Sequence, residues 1–257
     1  MNLQFVDSHC HIHFLNYDLS PEIVINDAKQ AGVSRLICVG CSLEDSRLAI
    51  TMAQAHANIY ATVGLHPHEA VTAINDQKLL EEFNKLLPNN KIVAIGECGL
   101  DYYRHKPSPE QLKLLEFQLG LAQTHNLPLV FHIREAFADF WPVFDNFKGL
   151  KGVVHSFNAT TKELDQVLSR GLYIGLNGII TFSHDEAQLL AAKAVPLDHL
   201  LLETDAPYLT PKPYRGKVNE SKYIRVIAEF LSELRSESLK TVALATTRNA
   251  KFLFNIK

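Results

Sequence analysis

The chain has 257 residues, of which 47% are hydrophobic and 21% charged, and a formal net charge of −3. That length allows one large core and is close to the ~250 residues of a single (β/α)8 barrel. The charge excludes a global basic field of the kind that advertises nucleic-acid binding. Attraction to a polyanion has to be local, through a metal and a few Arg and Lys.

The first strand is expected near residues 4–9, in FVDSHCH. His9 and His11 stand two apart, so on a strand both point the same way, and two imidazoles from one strand can grip one cation. His13 continues the parity but falls beyond the strand. A helix follows in SPEIVINDAKQAG, with Ser20 as N-cap, Pro21 at the first helical position and Gly32 just past the end. The second strand, near 34–40, carries RLICVG. Cys38 and Cys41 form one C-x-x-C without a second pair, and Cys38 reads as a buried, reduced thiol. The third strand, near 59–65, runs into GLHPH. His66 there reads as a phosphate contact or a loosely held metal position, and His68 as a solvent-side residue.

The fourth strand, near 91–97, is wholly apolar until Glu97. A carboxylate in that setting is costly unless paired, protonated or metal-bound. Its two oxygens can bridge two cations, which an imidazole nitrogen cannot; the competing reading is a salt bridge to Arg104 or Arg134. The next helix, SPEQLKLLEFQLGLAQTHN, opens with Ser108 and Gln111 in capping-box spacing. Strands near 128–132 and 152–155 end at His132 and His155. TTKELDQVLSRG forms a helix ending at Gly171, before a seventh strand near 171–178 that carries the amide of Asn177. The eighth strand, near 199–205, ends at Asp205. Closure beside the first strand brings Asp205 near His9 and His11, where it can ligate a metal and also accept a proton from an attacking water. Tyr102, Arg104 and Arg134 follow ligand strands and Arg215 lies in PYRGKVNE, where guanidiniums can clamp phosphate oxygens. The tail, about 219–255, holds two helical segments, one more than a last crossover needs.

Continuous rather than alternating apolarity fits strands buried on both faces of a parallel sheet. Eight βα units favour a closed barrel over a doubly wound sheet, and the first turn, DSHCH, lacks the glycines of a phosphate loop. The expected fold is a (β/α)8 TIM-type barrel with an extra C-terminal helix, built as one domain over 1–257. With no apolar stretch of ~18 residues and no signal-like start, a monomer in the reducing cytoplasm, away from membranes, is expected. Five strand ends carrying His or carboxylate make a hydrolytic Mg, Mn or Zn site the leading reading, because closed structural zinc sites use four ligands, commonly including Cys.

DSHCH, GLHPH, GECGLDYYR, FHIR, VVHSF and ETDAPYL, followed by PYRGKVNE, closely resemble the TatD family of metal-dependent hydrolases. The resemblance runs from about residue 5 to the final helix, with the motifs in family order. It implies two divalent ions held by His9, His11, Glu97, His132, His155 and Asp205. It also implies deoxyribonuclease activity, as a 3′→5′ exonuclease on single-stranded or frayed ends. Catalysis is then assigned to Asp205 and Glu97, and substrate binding to His66, Tyr102, Arg104, Arg134 and Arg215. One departure is Ser221 after Glu220, where family members often carry Pro. Two other readings stand beside this one. One is a metal-dependent ester or amide hydrolase, for example one like a D-aminoacyl-tRNA deacylase; the other is a non-catalytic metal-binding module.

Overall fold

The structure is a computed structural model describing residues 3–104 and 106–257. His105, inside the expected substrate-side loop 101–108, lies outside the described residues. The strands are β1 (Phe5–Cys10), β2 (Val33–Val39), β3 (Ile59–Val63), β4 (Ile92–Asp101), β5 (Leu129–Arg134), β6 (Gly152–Val154), β7 (Tyr173–Leu176) and β8 (Leu200–Leu202). The helices are α1 (Pro21–Gln30), α2 (Leu43–Ala55), α3 (Ala70–Ala73), α4 (Gln77–Asn84), α5 (Pro109–His125), α6 (Phe137–Phe144), α7 (Thr161–Leu168), α8 (Glu186–Ala194), α9 (Ile224–Arg235) and α10 (Leu239–Leu253). The eight strands form one sheet in the order β1 to β8, with parallel pairs such as Ala61 opposite Ile92, Leu129 opposite Gly152 and Ile174 opposite Leu200. Strand and helix alternate throughout, and two helices follow β8. The fold class is the (β/α)8 TIM-type barrel with an additional C-terminal helix. All residues of β1, β4 and β8 are buried, as strands covered on both faces are.

Two compact units are distinguishable, Met1–Ile37 with His155–Lys257, and Cys38–Val154. In the first, the segment after β8 returns to β1: the Asp205 N–H donates to the His9 carbonyl at 2.9 Å and the His11 N–H to that of Ala206 at 2.7 Å. The buried Asp7 carboxylate accepts from the Thr204 N–H at 2.9 Å and its hydroxyl at 2.6 Å. The Asn219 amide donates to the carbonyls of Thr204 and Tyr208, fixing the turn behind Asp205. Ser221 is fully buried and opens a 3₁₀ turn, Ser221–Tyr223, that leads into α9.

In the second unit, β4 and β5 continue past the expected ends, so Glu97 and His132 lie within strands rather than at their tips. The register between them shifts over Ile95–Cys98, and Gly96 and Gly99 both take φ of 148°, a region open to glycine. At Gly99 a Cβ would come within 1.9 Å of the His132 carbonyl oxygen, so this glycine sets how closely β4 and β5 approach. Two glutamines one heptad apart on α5 clamp neighbouring backbone. Gln118 accepts from the Leu65 N–H and donates to the Leu65 carbonyl, both at 2.9 Å. Gln111 accepts from the Asp101 N–H at 2.9 Å and donates to the Asp101 carbonyl at 3.2 Å. Gln118→Leu is expected to leave the buried Leu65 backbone unsatisfied and to cost about 1–3 kcal/mol, read as a lower midpoint in urea unfolding.

The caps depart from expectation in detail. Ser20 occupies the N-cap position before Pro21 but makes no side-chain cap; its hydroxyl donates to the Glu22 carboxylate at 2.7 Å. Ser108 accepts from the Gln111 N–H at 3.2 Å, yet the capping box stays half-made because the Gln111 side chain is committed to Asp101. Thr160 and Glu163 complete a full box at the start of α7.

Candidate metal centre

The first unit gathers His9, His11, His155, Glu203 and Asp205. Period-two spacing on β1 brings His9 Nε2 within 3.0 Å of His11 Nε2, and Asp205 Oδ1 lies 3.5 and 3.4 Å from the same two nitrogens. The Asp205 backbone has φ of 59°, a left-handed conformation that Asp tolerates better than most residues, and this turns its carboxylate back toward β1. Burial alone would raise the Asp205 carboxyl. The hydrogen bond from His11 and the charges of His9 and His155 outweigh it and hold the group below the usual carboxylate range. The rings of His9 and His155 stack at 3.9 Å, and His155 Nδ1 lies 3.4 Å from Glu203 Oε1. Arg215 donates to the Thr210 carbonyl at 2.9 Å with its guanidinium 4.0 Å from the Phe182 ring centre.

The second unit gathers Cys41, His66, Glu97, Asp101 and His132. Glu97 is 4% exposed. Its Oε1 lies 2.8 Å from His132 Nδ1 and 3.5 Å from His66 Nε2, and its Oε2 accepts from the Cys41 thiol at 3.6 Å. Burial pushes the His66 imidazole down to about 4 despite the opposing influence of Glu97, so the ring is neutral at pH 7. His132 Nε2 faces Asp101 Oδ2 at 3.2 Å, and His68 Nε2 faces the same oxygen at 3.1 Å. Burial would raise Asp101, but His132, the Arg104 N–H and His68 together hold its carboxyl well below the usual range. The Arg134 guanidinium lies 3.8 Å over the Tyr103 ring, Arg104 lies 6.0 Å from that ring, and the Tyr102 hydroxyl donates to Asp139 at 2.9 Å.

The structure therefore places His9, His11, His155 and Asp205 in one cluster and His66, Glu97 and His132 in another. Glu203, Asp101 and Cys41 join them without having been singled out in the sequence. His68, read as solvent-side, is exposed, and its Nε2 also reaches Asp101. The signal for Glu203 was its spacing, two residues before Asp205; Cys41 was hidden by a C-x-x-C pattern that pointed to redox or zinc chemistry. All four cysteines are free thiols, with Cys10, Cys38 and Cys98 buried.

The donor sets suit a divalent ion. Ligand atoms of His9, His11 and Asp205, of His9, His155 and Glu203, and of His66, Glu97 and His132 each lie within 4.8 Å of one another. Imidazole nitrogen and carboxylate oxygen bind zinc at ~2.0–2.2 Å, which in a tetrahedral site places neighbouring ligand atoms roughly 3.3–3.6 Å apart. The 3.0, 3.4 and 3.5 Å separations around Asp205 sit near that range, while imidazoles and carboxylates this deeply buried have little solvent to neutralise them.

A (β/α)8 fold carrying buried histidine and carboxylate clusters defines the metal-dependent hydrolases of the barrel class. The chain belongs to the TatD family: the family model for TatD related DNase matches residues 6–255. It is 34% identical over 253 residues to an uncharacterized metal-dependent hydrolase, YabD, of Bacillus subtilis, spanning 97% of this chain and 98% of that one. It is equally 34% identical over 252 residues to the 3′-5′ ssDNA/RNA exonuclease TatD of Pectobacterium carotovorum, covering 93% and 95%. The solved structure of the TatD homologue YjjV of Escherichia coli K12 superposes with a TM-score of 0.91 at 30% identity over 100% of both chains. The protein is a metal-dependent hydrolase of this family.

Proposed function

We propose that this hydrolase is a phosphodiesterase, a 3′→5′ exonuclease acting on single-stranded or frayed DNA ends through two divalent ions. The observation that carries the reading is the convergence of buried imidazoles with Asp205 and with Glu97, in a chain 34% identical to a relative named for 3′-5′ ssDNA/RNA exonuclease activity. The groups that would hold the ions are the imidazoles of His9, His11, His132 and His155 and the carboxylates of Asp205 and Glu97. Bound Mg, Mn or Zn would neutralise phosphate charge and make water a better nucleophile at neutral pH.

The chain's own groups then divide the work. Asp205, kept ionised by its histidines, takes the proton from the attacking water as its oxygen bonds to phosphorus and the bond to the leaving oxygen breaks. His66 is neutral and can donate a hydrogen bond to a phosphate oxygen but carries no charge to it. Arg104, Arg134 and Arg215 supply the positive charge, and Tyr103, 58% exposed, supplies a face for a base. Residues 1–257 act as one catalytic domain, as the family match over residues 6–255 supports, and as a monomer in a reducing cytoplasm, the setting with which four cysteines outside any disulfide agree. Among the described residues no helix is long and apolar enough to cross a membrane.

The deciding experiment strips the purified protein of metal, reloads it with Mg, Mn or Zn singly, and offers end-labelled DNA, RNA, simple phosphate esters and an aminoacyl ester. Metal-dependent release of mononucleotides from DNA is the expected result; turnover of the aminoacyl ester alone would overturn it. A second expected result concerns salt. Two or three phosphate contacts give a log–log slope of about −1.4 to −2 on single strands, so binding should weaken only about tenfold between 50 and 200 mM salt. Fluorescence anisotropy with labelled oligonucleotides measures this, and a much steeper slope would reveal a basic track.

A further inference from the structure

We infer that Glu203 is a positioning residue for His155, holding its imidazole in the tautomer that presents Nε2 to a metal, and that Gly175 keeps the space its carboxylate needs. The inference rests on the reading of His155 as a metal ligand. It deepens that reading by adding a residue that acts through His155.

Glu203 lies one residue past β8, fully buried. Its Oε1 accepts the Ser156 N–H at 2.5 Å and the Asn177 amide at 3.4 Å, and stands 3.4 Å from His155 Nδ1. Its Oε2 is buried and has no hydrogen-bond partner among the described residues. Removing a carboxylate from water without pairing both oxygens is expensive, and a glutamine or leucine would fill this volume without that cost. The backbone also makes room for the group. A Cβ on Gly175 would come within 2.3 Å of Glu203 Oε2, so only a residue without a side chain lets the carboxylate stay beneath His155. The neighbouring Asn177 is drawn into the same arrangement, its amide bonding the Ser156 hydroxyl at 2.9 Å as well as Glu203.

A histidine that binds a metal through one ring nitrogen characteristically gives the other N–H to a carboxylate or carbonyl, which fixes the tautomer and strengthens the ligand. Glu203 is the anionic group placed to do this for His155, which stacks on His9 at 3.9 Å. Asn177 and Ser156 fix Oε1, so the carboxylate cannot follow a rotating ring; it sets where the ring must be.

The first test needs no variant. In the metal-free wild-type protein, two-dimensional 15N–1H spectra of the imidazoles should show His155 as the Nδ1–H tautomer; a predominant Nε2–H tautomer would overturn the inference. The second uses Glu203→Gln, which keeps shape and the Ser156 contact while removing the charge. Circular dichroism and the melting temperature should stay close to wild type. The His155 tautomer should become mixed, and calorimetric Zn2+ binding at the weaker site should fall about 10–100-fold. Gly175→Ala, which displaces the carboxylate without neutralising it, should weaken Zn2+ in the same direction. Zn2+ affinity within twofold of wild type in both variants would overturn the inference. The two levels of interpretation separate cleanly. A wild-type protein that binds Zn2+ at His155 yet leaves DNA uncut defeats the nuclease reading and keeps the Glu203 assignment. A protein that cuts DNA while Glu203→Gln binds Zn2+ normally does the reverse.

Discussion

Glu97→Ala is expected to reduce turnover by at least about a thousandfold, or ~4 kcal/mol of lost transition-state stabilisation, and to remove one equivalent of bound divalent ion. The two oxygens of Glu97 look in different directions, one toward His132 and His66 and the other toward Cys41. No neighbouring group can take both places, because an imidazole nitrogen of His132 or His66 fills one place at a time and the buried Asp101 is already engaged by His68, His132 and the backbone of Tyr103 and Arg104. The fold should survive. A buried carboxylate surrounded by imidazoles is at best a weak contributor to stability, and the apolar residues of β4 on either side, Ile95 and Leu100, stay fully packed. Elemental analysis gives the metal count and circular dichroism with a thermal melt gives the fold. Unchanged stoichiometry would remove Glu97 from the ligand set.

Most of the framework was legible because it rests on one physical regularity. Strands buried on both faces cannot alternate, so β4 and β8 announce themselves as apolar runs, and the carboxylates Glu97 and Asp205 in or after them mark the candidate site. His9 and His11 were readable for the further reason that a period of two is a strand's own period. The same rule applied backwards from Asp205 marks Glu203, which passed as the end of an apolar run. Other features depend on geometry that spacing does not encode. The extension of β4 to Asp101 follows from positive φ at Gly96 and Gly99 and from a register shift against β5. Cys41 reaches Glu97 through the packing of one strand's end against another's middle. Gln111 and Gln118 did leave a trace, as two polar residues one heptad apart on the buried face of α5, but nothing in the sequence says which backbone they hold. Of the residues read as substrate contacts, His66 joins Glu97 and His132. Arg104 and Arg134 lie around the Tyr103 ring, and the Tyr102 hydroxyl bonds Asp139.

A circular single-stranded DNA should be degraded at least about a hundredfold more slowly than its linear form, a gap of roughly 2.7 kcal/mol in effective barrier. The groups proposed to hold metal are deeply set: His9 is 0%, His11 3% and Glu97 4% exposed. A scissile phosphate must come close to them, and a flexible strand can bend to do so, whereas an intact duplex is a stiff rod with a persistence length of ~50 nm. A free end adds more, because it can enter without drawing in strand on both sides. The exposed ring of Tyr103, backed by Arg134 at 3.8 Å, offers a base a stacking face, an interaction worth about 1–3 kcal/mol per base. Tyr103→Ala should therefore raise KM for linear DNA by a matching factor while leaving kcat on a simple phosphate ester unchanged. Tyr102→Phe, which removes only the hydroxyl bonded to Asp139, should have a smaller effect on DNA binding. Time courses on the two topologies of one sequence, resolved on denaturing gels, decide the point. Equal cleavage of circle and line would refute the exonuclease reading while leaving the metal chemistry intact, and laddering from the 5′ end would reverse the assigned polarity.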